Sequence, residues 1–397
     1  IANNGESSVG KGKFEWQCEL PPPSPEDAGV LAEWDGKTWR IIERRQFLDV
    51  TGPGGIYGPP KDDAPIWSMG WDKRSVIVKL LDSGTWHTYR VPKASHTFDP
   101  RHGWYTEWPR IREIGGDKLL MVVHGMMYDF PITFSAANTS GLAPVCSHLR
   151  YVTDFCNWNG RLVISADDNS IMKDPLCGQS QSNMWFGKFE QLQDWGPRAG
   201  WGGVWLKDKI KAGQPSVPYL IKGFDQRILH LAHDADSEVT FTLEIDAKGD
   251  GQWSEYKGIP VPANGYAWHS LPADLSAQWI RIKANKDCSA TAYFHFNDAR
   301  ERKSDPALFK SLADVSDTSA VAGFIKSAKH NRNLQWVQSL SENGAAKEGA
   351  YMEVDEKLAF SKPAESRAEE VNKICEMKKD FEVDDASVIM IRKEKRY

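Results

Sequence analysis

The segment Gly116-Asp-Lys-Leu-Leu-Met-Val-Val-His-Gly125 places a turn dipeptide directly before an apolar run that is followed by His-Gly. A short apolar run bounded by turn residues predicts a buried β-strand. The same pattern recurs in Trp71–Leu80 and Asn159–Asp167, and the three segments start 40 to 45 residues apart. That period is typical of a four-stranded β-propeller blade. A related segment, Trp34–Glu43, precedes them by a similar step.

The strand spacing changes after Trp205. Between Pro218 and Asn297, shorter intervals separate strands in which apolar and polar residues alternate. These strands are Val239–Ile245, Gln252–Tyr256, Trp279–Lys283 and Thr291–Phe296. Alternation predicts one buried and one solvated face, as in antiparallel sheets. The fold class expected is therefore all-β: a β-propeller with an inserted or appended antiparallel β-sandwich-like segment.

The chain divides into four predicted parts. They are an N-terminal extension (1–28), propeller blades (29–217), the sandwich-like segment (218–298) and partial blades with a short helical linker (299–397). The chain begins at Ile1 without an apolar signal core, and a strand-like run, Ala386–Arg392, almost abuts Tyr397. We therefore expect both termini to be truncated.

Charge and hydropathy narrow the class of partner. The 397 residues carry 49 Lys+Arg and 54 Asp+Glu, a formal net charge of −5, with no run of five basic residues. This pattern gives no electrostatic footprint for nucleic acid or anionic lipid. No uninterrupted apolar stretch reaches the roughly 18 residues of a membrane span. The 17 Trp leave aromatic surface available for ligands, and we expect a polysaccharide or oligosaccharide partner.

Cysteine spacing and loop chemistry predict no metal site. The six cysteines form no Cys-x-x-Cys pair, which leaves a structural zinc site without support. The loop 246–251 resembles half a calcium loop but lacks the later bidentate Glu. No cofactor is identified. Cys146 and Cys156 are expected to pair in an oxidising compartment, and free thiols are the equal alternative.

The stretch Lys93–Arg112 has the densest functional chemistry. It holds two His, three Arg and four aromatic residues, including Trp104 and Trp108. Loops between propeller strands meet at one end of the central channel. Arg can bind a carboxylate in bidentate fashion, aromatic rings stack on sugar C–H faces, and His can move a proton. The alternative is inter-blade packing with surface ion pairs.

Three further candidates lie outside that stretch. His124 follows an apolar strand and precedes Gly125, where backbone can approach a ligand, although a hydrogen-bonded structural histidine is the alternative. His148 follows as its counterpart one repeat later. Gln179 begins a polar loop, 179–183, that suits hydroxyl groups or serves as a plain linker.

Several of these segments together resemble large propeller-type proteins of polysaccharide-degrading bacteria, over about residues 20–300. The segments are Thr51–Gly58, His96–Asp99, Thr106–Arg112, His124-Gly125, Trp158–Arg161, Gln179–Asn183 and Gly200–Trp205. More loosely, the architecture is similar to seven-bladed propeller enzymes that cleave uronate-containing glycans, including ulvan lyases and the rhamnosyl-glucuronate-cleaving family. The resemblance implies His with Tyr or Arg in the channel. Their catalytic motif does not align with this sequence residue by residue.

Elimination beside a uronate needs a cation, a base and an acid. We expect Arg110 or Arg112 to neutralise the carboxylate, His96 or His124 to remove the proton, and Tyr105 to protonate the leaving oxygen. Further substrate contacts are expected from Trp104, Trp108, His148 and Gln179. The predicted function is that of a secreted or periplasmic carbohydrate-active protein, a lyase or glycosidase. The alternative is a non-catalytic glycan-binding or scaffold propeller.

Overall fold

The computed structural model describes most of the first 300 residues and part of the remainder. The described residues are 1–3, 29–55, 61, 63–97, 109–150, 152–166, 183–299, 320–328, 333–342, 345–357, 359–361, 381–383, 388–392 and 395–396. Within them, every regular element is a β-strand except one 3-10 helix, Phe189–Asp194. No helix in the described part of the chain is long and apolar enough to cross a membrane. Contacts divide the chain into two units, one of residues 1–173 and 177–300 and the other of residues 174–176 and 301–397.

The first half of the larger unit consists of short strands joined mainly in antiparallel order. A three-stranded sheet contains β1 (Ala2–Asn3), β2 (Val30–Trp34) and β3 (Trp39–Glu43). A meander follows with β4 (Gln46–Thr51), β5 (Ile66–Trp71), β6 (Val76–Asp82) and β7 (Thr85–Val91), and then the short β8 (Lys93–Ala94). A second meander has β9 (Arg110–Gly115), β10 (Lys118–Val123), β11 (Met126–Phe130) and β12 (Ala143–Ser147). A three-stranded sheet of β13 (Phe155–Trp158), β14 (Arg161–Ala166) and β15 (Asn183–Gly187) completes this half.

Tight hairpin turns explain why the sequence repeats at these points. Asn159-Gly160 links the paired residues Trp158 and Arg161, and both turn residues have positive φ, 50° and 71°. Two-residue turns of this kind match the natural twist of paired strands and favour Asn-Gly. Gly116-Asp117 forms an equivalent turn before β10. Two of the turns read from the sequence, Asn159-Gly160 and Gly116-Asp117, are therefore two-residue hairpin connections, whereas four residues link Trp71 to its partner Val76.

The second half of the unit is a two-sheet sandwich. Its strands are β16 (Gly200–Ile210), β17 (Tyr219–Leu220), β18 (Gln226–His233), β19 (Val239–Asp246), β20 (Trp253–Val261), β21 (Tyr266–Leu271), β22 (Trp279–Ala284) and β23 (Cys288–Asn297). One sheet has the order β21-β18-β23-β16-β8. The other runs β20-β19-β22-β17 and continues through a parallel pairing of Tyr219 with Arg90 into β7-β6-β5-β4. The sandwich and the first meander therefore share an eight-stranded sheet.

Alternating apolar residues form the core of the sandwich. Leu229 and Leu231 from one sheet and Phe241 and Leu243 from the other are fully buried in the same core as Phe294. Each such side chain contributes about 1.5–3 kcal/mol when removed from water. The antiparallel meanders with the appended sandwich confirm the predicted all-β fold class.

The smaller unit is also built from strands. Its four-stranded antiparallel sheet contains β24 (Ala320–Ala328), β25 (Asn333–Glu342), β26 (Ala345–Val354) and β27 (Phe360–Ser361). A three-stranded sheet contains β28 (Phe381–Val383), β29 (Val388–Arg392) and β30 (Lys395–Arg396). The predicted helical linker lies outside the described residues, and the division into four predicted parts stays a prediction. Cys146 and Cys156 are both thiols, so the disulfide alternative is not formed.

Candidate functional site

The three histidines singled out from the sequence meet at one hairpin turn. His124 and Gly125 form the two-residue turn between β10 and β11, with φ of 49° and 74°. The backbone N–H of Ala94 donates to the His124 carbonyl oxygen at 3.0 Å, and the N–H of His148 donates to that of Gly125 at 2.9 Å. The His96 ring lies against Gly125, where an added Cβ would be 2.8 Å from Nε2. The end of β8, the residues that follow it and the residue that follows β12 therefore surround this turn.

Burial determines what these imidazoles can do. His124 is fully buried, with its ring centroid 5.3 Å from that of Trp71. Burial, with nearby Lys93, holds the pKa of His124 well below its usual range. Burial also lowers the pKa of His148 to about 4, and desolvation lowers that of His96. All three are thus neutral near pH 7, and of the three only His96 is exposed.

The predicted arginines bind acidic side chains instead of meeting the histidines. Arg112 donates to the Asp49 carboxylate at 3.1 Å, and the backbone N–H of Ile111 donates to the same oxygen at 2.9 Å. Arg110 Nε lies 3.9 Å from Asp154 Oδ2. These contacts fit the ion-pair alternative that the sequence left open. Tyr105, Trp104, Trp108 and Gln179 lie outside the described residues, so the catalytic assignment stays a prediction.

A surface that the sequence pattern did not indicate carries the strongest binding features. Alternate residues of a strand point to the same side of a sheet. The outward side of the five-stranded sandwich sheet bears large apolar, aromatic and imidazole groups. We call this surface the aromatic face, and its residues are Trp201, Ile228, His230, Tyr266, Trp268, Tyr293 and His295. The strand register makes them neighbours: His230 pairs with both Trp268 and Tyr293, and His295 pairs with both Ile228 and Trp201.

The members of the aromatic face are connected by ring contacts and hydrogen bonds. His230 Nδ1 lies 2.6 Å from the Tyr266 hydroxyl, and His230 Nε2 lies 3.0 Å from His295 Nδ1. The rings of Trp201 and Tyr293 stack with centroids 5.7 Å apart. Trp201 is nearly buried, with the Lys93 ammonium 5.4 Å from its ring centroid. The face is therefore anchored at one edge by packed rings.

The opposite edge of the face is open to solvent. Trp268 is 62% exposed and Tyr266 is 55% exposed, although both belong to a well-paired strand. Flat apolar rings beside hydroxyl and imidazole groups provide both a stacking surface and hydrogen-bond partners. One signal of this surface is present in the sequence: on β21 and β23 the aromatic residues occupy the alternate positions that face away from the core. Their adjacency depends on strand order, which alternation does not reveal.

Comparisons with known proteins assign no family. No protein-family model and no curated protein matches the sequence. An exo-β-1,3-galactanase from Phanerochaete chrysosporium, solved with galactose, is similar at a TM-score of 0.23 and 6% identity, covering 68% of this chain and 74% of that one. A CBM4 structure is similar at a TM-score of 0.12 and 12% identity, covering 38% and 74%. At TM-scores this low, the similarities establish neither fold nor function for this chain.

Proposed function

We propose that this protein binds glycans and that the aromatic face is the binding surface. The observation that carries the proposal is the exposure of Trp268 and Tyr266 on a paired strand, beside the hydrogen-bonded pair His230 and His295. Of the two functions expected from the sequence, this is the non-catalytic one. Cleavage of uronate-containing polysaccharide and a secreted or periplasmic location stay predictions.

Exposed aromatic surface of this kind supports a binding role. A contiguous apolar patch on a protein surface commonly marks a binding site, because a ligand or partner that covers the patch removes it from contact with water. Ile228 extends the patch between the aromatic side chains and is 36% exposed. Because the face belongs to a hydrogen-bonded sheet over a packed core, little ordering is needed on binding, and affinity benefits from that preorganisation.

The outward positions of the central strands favour sugar units without charge. On β18, β21 and β23 these positions hold aromatic, imidazole, amide, hydroxyl and aliphatic side chains, with no Lys, Arg, Asp or Glu among them. They are Gln226, Ile228, His230, Ala232, Tyr266, Trp268, Ser270, Thr291, Tyr293, His295 and Asn297. Lys93, beside Trp201, is fully buried, so an isolated carboxylate would leave water here without an exposed cation on these strands to pair with, which is costly. The ligand proposed for this face is therefore a neutral oligosaccharide.

Binding measurements test the proposal directly. The full chain is screened against neutral and acidic polysaccharides by affinity electrophoresis, and the best oligosaccharide is then titrated by calorimetry. Truncation of a stacking aromatic removes on the order of 1–2 kcal/mol of binding free energy, so we expect Trp268→Ala to raise Kd about tenfold or more. Trp39→Ala is the matched control, since Trp39 is 56% exposed on a different sheet. Equal affinity in the wild type and in Trp268→Ala would remove the proposal.

A further inference from the structure

A cavity lies where the first meander meets the sandwich. It has a volume of about 380 Å³ and is bordered by β7, by the β5–β6 turn, by the second half of β16 and by residues 214–217. This volume is within the usual range for small-molecule sites. The cavity is separate from the aromatic face, none of whose members lines it.

Positive charge dominates the lining of this cavity. Arg74, Arg90, Lys209 and Lys211 line it, against two carboxylates, Glu43 and Asp208. Four of the lining residues form ion pairs with groups outside the lining, namely Asp72, Asp287 and Lys79. Arg45 also contacts Asp72. Together, the lining residues and these four groups comprise six cations and four carboxylates. Among the described residues, the excess of two positive charges therefore remains after the known ion pairs are included.

The deepest cations are held rigidly. Arg90, which is buried, donates two hydrogen bonds to the Asp72 carboxylate, at 2.9 and 2.7 Å, and one to the Ser75 hydroxyl at 2.8 Å. Arg74 donates to the same carboxylate at 2.7 Å and lies 3.3 Å from Asp208. Asp72 and Asp208 offset the charges of these two guanidinium groups, so the cluster forms a rigid wall and the net positive charge comes from the remaining cations.

Nearer the solvent, the cavity offers cations with fewer constraints. Lys209 is exposed and forms no ion pair with a described residue, and Lys211 pairs with the exposed Asp287. The remaining wall includes Val204 and Val217, together with Thr88 and Ser216, whose hydroxyls are hydrogen-bonded within the protein. Aliphatic surface beside cations suits a compact ligand that has both an anionic group and a carbon skeleton.

We infer that this cavity binds a small acidic molecule of about monosaccharide size through a carboxylate or sulfate group. The anionic group meets Lys209 and Lys211 at the entrance, in front of the rigid wall that Arg74 and Arg90 form with their carboxylate partners. The inference is independent of the aromatic face, because no residue is shared between the two surfaces. The protein would then have two binding sites, the aromatic face for a neutral oligosaccharide and this cavity for an anionic molecule.

Titration of the full chain with glucuronate, with glucose 6-sulfate and with glucose tests this assignment. We expect the two anions to bind and glucose not to bind, and we expect the affinity to weaken as salt is raised. The double variant Lys209→Gln/Lys211→Gln should weaken anion binding by about tenfold or more, because charge-assisted contacts are lost. Lys207→Gln is the matched control, since Lys207 is exposed on the same strand but does not line the cavity.

Each outcome is decisive. Binding of one anion alone identifies the preferred group, and binding of both shows that the cavity recognises charge. Failure of both anions to bind, or affinity unchanged in the double variant, overturns the inference. Trp268→Ala should leave anion binding unaltered, so loss of the glycan function and loss of the anion site are measured separately.

Discussion

His230 Nε2 lies 3.0 Å from His295 Nδ1, so that two imidazoles on neighbouring strands share a hydrogen bond in the middle of the aromatic face. Partial burial lowers the pKa of both rings, and the proximity of His295 lowers that of His230 further. The pair is therefore uncharged near pH 7. If the pair gains one proton, the resulting imidazolium can still donate a hydrogen bond to the neutral ring. If it gains a second proton, two cations are in contact.

Glycan binding at the aromatic face should therefore weaken in acid. We expect a constant Kd from pH 8 to pH 7 and a rising Kd as the pH falls below the ordinary histidine value of 6.5. Calorimetric titration at pH 7.5, 6 and 5 measures the change. In the double variant His230→Gln/His295→Gln the profile should be flat. An identical acid loss in that variant would show that the imidazole pair is not responsible.

The buried His148 predicts a loss of stability over the same pH range. Its folded pKa of about 4 lies below the ordinary value of 6.5, so the unfolded chain binds more protons between these values. The free energy of unfolding should thus fall as pH drops below 6.5, by roughly 3 kcal/mol from this group once pH 4 is reached. Urea denaturation at several pH values measures it. His148→Asn should show a shallower pH dependence, and an unchanged slope would contradict the assignment.

Asp72 is expected to be the most sensitive carboxylate for stability. Although burial opposes its ionisation, Arg90 and Arg74 hold the pKa of Asp72 well below its usual range. Asp72→Asn leaves buried guanidinium charge without its counter-ion, which costs about 3–5 kcal/mol. The control Asp287→Asn removes an exposed carboxylate and should change stability little. Comparable denaturation midpoints for the two variants would be inconsistent with this role.

The strands are more predictable from the sequence than the site is. Turn pairs such as Asn159-Gly160 and the alternation in Val239–Asp246 act locally, so both can be recognised from neighbouring residues alone. The sequence favours His124 as a candidate because Gly follows it. In the folded chain, this same His-Gly pair is a hairpin turn with the imidazole enclosed. A positive φ at a histidine is uncommon, and no pattern in the sequence indicates it.

The aromatic face could not be predicted from the sequence because it depends on long-range strand order. His230 and His295 are 65 positions apart and become neighbours only because β18 and β23 pair in one register. Alternation shows that Tyr293 points away from the core, but not that it stacks on Trp201. Arg112 is a further example, since its ion-pair partner Asp49 is 63 positions away in the sequence. Composition and local pattern do not contain these pairings.

The most direct test of the central claim is an NMR experiment in which the wild-type chain is titrated with a neutral oligosaccharide that binds to it. We predict that the Trp268 indole N–H resonance and the ring resonances of His230 and His295 shift on saturation. The indoles of Trp34 and Trp39, exposed on a different sheet, should remain unperturbed. Shifts confined to residues outside the aromatic face, with Trp268 unchanged at saturation, would contradict the account.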